Sequence, residues 1–72
     1  MVKKIYVISV VAPDHPKQYV KLNDDGSSVG VDSPYAATPI GNKFVANRVK
    51  EAIEPAVKRL NKDIQINVEV IK

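Results

Sequence analysis

The stretch NKFVANRVKEAIEPAVKRLN, residues 42–61, decides how this chain folds. At about 100° per residue, Val45, Val49, Ala52, Ile53, Ala56 and Leu60 share an arc of about 100°, the apolar stripe of a helix that packs on a core. Lys43, Asn47, Lys50, Glu51, Glu54, Lys58, Asn61 and Lys62 lie outside it. Asn42 can cap the first turn, and Thr38 before Pro39 is the alternative cap. Pro55 lacks an N–H and clashes with the carbonyl of Glu51, which argues for a break. The stripe nevertheless keeps its phase from Val49 through Ala56 to Leu60, which predicts one helix bent at Pro55. Two helices divided at Glu54 are the alternative.

Working outward from the helix, the flanking segments read as strands. Residues 3–11, KKIYVISVV, are rich in β-branched side chains and too short for a helix. Ile5, Val7, Ser9 and Val11 alternate with Tyr6, Ile8 and Val10, so both faces are apolar and the strand belongs in the interior of a sheet. Pro13 and Pro16 end it, since neither can donate to a ladder. Lys17 to Leu22 reads as a second strand, and Ser28 to Asp32 as a third. Asn23-Asp24-Asp25-Gly26-Ser27 between them is a hairpin turn with Gly26 free to take positive φ. Residues 33–39 read as a loop. After the helix, Ile64, Ile66, Val68 and Val70 alternate with Gln65, Asn67 and Glu69, the pattern of a strand with one face on the core.

The predicted fold is α+β: β-β-β-α-β, a small mixed sheet of order 3-2-1-4 with one long helix packed on one face. The helix is expected to return the chain so that the last strand runs parallel to the first. Seventy-two residues suffice for one domain and one core. With no cysteine there is neither a disulfide framework nor a thiolate metal site, which fits a reducing compartment. The charged start Met1 to Lys4 and the apolar run Ile5 to Ala12 resemble a signal peptide. Removing them would take away the best strand, and Ala12-Pro13 is a poor cleavage context, so a cytoplasmic protein is expected. No segment approaches the apolar length of a membrane span.

Motifs that carry chemistry are few. His15, beside Asp14 in the Pro-rich loop, has no second His or Cys to join it, and reads as an exposed loop residue. An active site there would need a pocket shared with Asp14 and Asp32. Three glycines build no phosphate or dinucleotide fingerprint. Counted as a calcium loop from Asn23, the twelfth position is Pro34 rather than a bidentate Glu. The sequence therefore points away from an enzyme, and to no cofactor or metal.

Binding is the remaining class. One helix covers one side of a small sheet, so with Ile5 and Val7 toward the helix, Tyr6, Ile8 and Val10 would form an apolar patch on the far side. With Tyr19 and Lys21 they are the candidate interface for a protein partner or a second copy. The alternative is that the loop around Tyr35 folds over the patch. The net charge of +3 and pI of 9.3 admit a nucleic-acid reading, with Tyr6 and Tyr19 as stacking platforms near Lys4, Lys17 and Lys21. Against it, Ile8 and Val10 would dominate that face. On the helix, Glu54 and Lys58 form a favourable i,i+4 pair on a solvated face.

Residues 18–72 also carry a pattern of Tyr19-Val20, Gly26, Ala37, Ile40, Asn42 as cap, and Ala46. It resembles small uncharacterised proteins common in phages and mobile elements of Gram-positive bacteria. Ile40 stands where those have an aromatic residue, and Pro55 is atypical of them. The resemblance implies a fold and a context, and no mechanism.

Overall fold

The computed structural model describes residues 4–71, so the charged start at Met1 to Lys3, including the first residue of the predicted first strand, lies outside the described residues, as does Lys72. Five elements follow in the expected order: β1 (Tyr6–Val11), β2 (Gln18–Leu22), β3 (Ser28–Val31), α1 (Lys43–Leu60) and β4 (Gln65–Val70). The sheet order is β3-β2-β1-β4, with β1 in the interior as its two apolar faces require. Gly26 takes φ 90° in the β2–β3 turn. The Asp25 carboxylate there accepts from the hydroxyl and N–H of Ser27, at 2.6 and 3.0 Å, which holds its pKa below the usual value.

Helix α1 is continuous through Pro55. Asn42 is its cap, its Oδ1 accepting from the N–H groups of Phe44 and Val45 at 2.7 and 3.3 Å. Lys58 does not serve Glu54 as its spacing suggests. Its Nζ donates to the carbonyls of Lys62 and Ile64, at 3.2 and 2.6 Å, and so closes the turn into β4.

Three expectations are corrected. First, the sheet is antiparallel throughout rather than mixed, and β4 runs against β1 with Gln65 opposite Val11 and Val70 opposite Tyr6. The cause lies in residues 38–40, which are not a free loop. Thr38 donates its N–H to the Val20 carbonyl and accepts from the Leu22 N–H through Oγ1, while Ile40 exchanges two main-chain hydrogen bonds with Tyr6. This segment wedges between β1 and β2 where they splay, and carries the chain back to the start of β1 before the helix begins. That extra crossing reverses the last strand.

Second, Tyr6, Ile8 and Val10 face the helix, not the far side. Ile8, 2% exposed, packs with Val20, Ile40, Ala46 and Ile66, and Tyr6, Val10, Val49, Ile53, Val57 and Val68 close around them. Burying this much apolar surface at about 25 cal/mol per Å² is what holds so small a domain together. Third, the buried helix stripe is Ala46, Val49, Ile53 and Val57. The predicted arc is turned away by about 60°, which leaves Val45, Ala52, Ala56 and Leu60 exposed. Ala46, fully buried, sets the rotation: it is small enough to let the helix backbone sit close to the sheet.

Candidate functional site

Helix α1 rests on β1 and β4 and does not reach β2 and β3. Four strands spaced about 4.8 Å apart are roughly twice as wide as one helix, so β2 and β3 have no helix directly over them, although Val20 of β2 is buried in the core. Between those two strands and α1 runs a cleft of about 280 Å³. Its floor is Val10, Gln18, Val20 and Gly30, and its helix wall is Ile53, Val57 and Leu60, with Ile64 at one end. Leu60 is 84% exposed at the lip. A Cβ on Gly30 would meet the side chain of Gln18, so the missing side chain leaves room for Gln18 to lie across β3. Tyr19, Ser28 and Val29 complete the lining, which is mostly apolar, and no His, Asp, Glu, Lys or Cys is part of it.

The far face of the sheet is closed differently. Lys17 reaches diagonally over β1 to pair with Glu69. Its Nζ sits 5.4 Å from the centre of the Tyr19 ring. Beneath this strap Ser9 is fully buried, and Val7 on the same face is fully buried too. The Ser9 hydroxyl lies 3.5 Å from the Asn67 carbonyl and also reaches the Glu69 carboxylate, so its single proton serves one or the other. Hydrogen bonds from Lys17 and then Ser9 hold the Glu69 pKa below its usual value; the bond to Glu69 likewise raises that of Lys17.

The five residues expected to form one binding face are therefore divided. Tyr6, Ile8 and Val10 lie toward the helix, while Tyr19 and Lys21 project from the far face, as the Ser9–Tyr19 pairing requires; of the five, Val10 and Tyr19 border the cleft. Tyr6 and Tyr19 thus stand on opposite faces and build no shared stacking platform. Tyr35, 82% exposed, covers nothing; Ala37 rather than Tyr35 is the buried residue of that segment. His15 is exposed, its N–H turned to the Ala12 carbonyl at 3.4 Å, and it lines no part of the cleft. Among the described residues no three of His, Cys, Asp or Glu are grouped to hold a metal ion, and no helix is long and apolar enough to cross a membrane.

Leu60, Gln18, Gly30 and Ile64 are cleft residues to which sequence reasoning gave no binding role, Leu60 and Ile64 being read only as core positions. A signal for two of them was present: the helix stripe is wider than a two-strand contact needs, and a glycine sits within a four-residue strand. Comparison of the chain with protein-family models, with curated proteins and with solved structures finds no match.

Proposed function

We propose that this protein is a non-enzymatic binding module that docks an apolar-faced helix of a protein partner onto the β2–β3 half of its sheet. The observation that carries this reading is Leu60, a large apolar side chain left in solvent at the lip of an apolar cleft. The uncovered strip is about 10 Å across, the diameter of one helix. A second helix beside α1 would bury Leu60 and the exposed flank of α1 together, as helix-in-groove recognition does. The excess of positive charge favours an acidic polar face on that partner.

The test is an NMR titration with amphipathic helical peptides bearing Leu at i, i+3, i+4 and i+7 and an acidic opposite face. Chemical-shift changes confined to Val20, Gly30, Ile53, Val57 and Leu60 are expected, and these should vanish in Leu60→Lys. Shifts confined to the far face around Lys17, Lys21 and Glu69 would overturn the reading. So would salt-dependent binding of oligonucleotides in place of the peptides.

A further inference from the structure

Strand β4 is an open edge of the sheet. The Ile71 N–H donates to the Ile5 carbonyl at 2.9 Å, and Ile5 and Ile71 continue the β1–β4 register. In an antiparallel ladder main-chain groups alternate in direction, so Gln65, Asn67 and Glu69 turn theirs toward β1 and Ile66, Val68 and Val70 turn theirs outward. Among the described residues no other segment pairs with these outward groups. Natural edges are blunted by prolines, lysines, bulges or short length. The other edge, β3, is four residues long and ends beside Asp32. β4 has six residues, QINVEV, with no proline and no lysine, and its one acid is held by Lys17.

We propose that β4 pairs with β4 of a second copy, antiparallel and centred on Val68, to join two sheets into one of eight strands. The choice of a second copy over a foreign strand rests on self-complementarity. An antiparallel pair bonds only where outward groups meet outward groups. Centring on Val68 does this at every position, with Val68 opposite the partner's Val68 and Ile66 opposite the partner's Val70. Val70, 54% exposed in the single chain, then gains an apolar neighbour. On the far face Asn67 comes opposite the partner's Glu69, a neutral amide against an acid. Centring on Glu69 would instead oppose two carboxylates, and centring on Asn67 would set Val70 opposite the partner's Ile64, which lies outside β4 with its N–H bonded to the Asn61 carbonyl.

The helices agree with this register. Each lies over β1 and β4, so continuing the sheet at about 4.8 Å per strand sets the two α1 axes about 10 Å apart, a normal helix-packing distance. By helical geometry the flank of α1 away from the cleft carries Asn47, Lys50 and Glu54, so both signs of charge are present where the two helices would meet. The cleft lies beyond β1 on the other side and stays open in the dimer.

Sedimentation equilibrium over a micromolar-to-millimolar range tests the proposal. A monomer–dimer equilibrium is expected, and Asn67→Glu, at an exposed position, should weaken it about tenfold by setting two carboxylate pairs in opposition. Asn67→Lys should tighten it by placing a cation opposite each partner Glu69. Thermal melts of both variants at dilution, where they are monomeric, check that neither unfolds the chain. A monomer across the whole range, or a dimer indifferent to both substitutions, would overturn the proposal. Because Asn67 is remote from the cleft, neither result bears on helix docking there.

Discussion

Lys17, just before β2, and Glu69 of β4 form an ion pair across β1 and bury Ser9 beneath it. The pair links the hairpin β2–β3 to the C-terminal strand, which have no ladder between them.

The stability this pair contributes depends on pH in a defined direction. Glu69 titrates lower in the folded chain than its usual 4.5, so its contribution is full above that value and is lost as pH falls through the lowered one. Lys17 titrates above its usual 10.5, so its part is full below that value and lost as pH rises through the raised one. Melting temperatures of the parent and Glu69→Gln, measured from pH 7 down to pH 3, should therefore converge at the acid end. The difference at neutral pH will be small because both groups meet solvent. A constant offset at every pH would refute this account.

The facing of β1 and the rotation of α1 predict which apolar positions tolerate change. Ile8→Ala should destabilise by about 2–5 kcal/mol, since it opens a cavity in the main cluster. Ala46→Leu should cost about 1–3 kcal/mol by forcing the helix off the sheet. Ala56→Leu, on the exposed flank, should be within about 0.5 kcal/mol of the parent. Urea unfolding of the three variants separates this packing from the rotated arrangement, in which Ala56 would be the intolerant site.

Thr38 holds the wedge segment against β2 through its hydroxyl, which accepts from Leu22 at 2.6 Å. Thr38→Val keeps the shape and removes the acceptor. A loss of about 1 kcal/mol is expected, with faster amide exchange at Leu22 and little change at Tyr19, whose main-chain groups pair with Val31. Exchange rates raised equally at both amides would show that the wedge is not held by this bond.

The cleft predicts variants that separate binding from folding. Leu60→Lys removes an exposed side chain and should change stability by less than about 0.5 kcal/mol while abolishing peptide binding. Gly30→Val raises strand propensity and fills the cleft floor, displacing only the flexible end of Gln18. It should fold at least as well as the parent and bind no peptide. A Gly30→Val protein that folds and binds at full affinity would place the binding surface elsewhere.

Much of the local structure was legible because its causes are local. Asn42 caps the helix through its own side chain, Gly26 supplies the positive φ of the turn, and the Gln65–Val70 alternation declares a half-buried strand. The interior place of β1 was legible too, since apolar residues on both faces suit no edge. The candidate site was only partly legible: Val10 and Tyr19, which border the cleft, were marked, but as one surface with Tyr6, Ile8 and Lys21, which do not. The same two-faced pattern that places β1 inside the sheet cannot say which face meets the helix, because either choice buries apolar side chains.

What the sequence by itself determined, then, is the set of elements, their order in the sheet and their caps, all written in patterns a few residues long. Tertiary structure alone decided the facing of β1, the rotation of α1 and the direction of β4. Each turns on contacts between distant segments: Ala46 admitting the helix close to the sheet, and Thr38 and Ile40 taking up main-chain groups that β1 and β2 leave unpaired where they splay. Periodicity records which residues want burial, but it carries no sign for the partner that buries them.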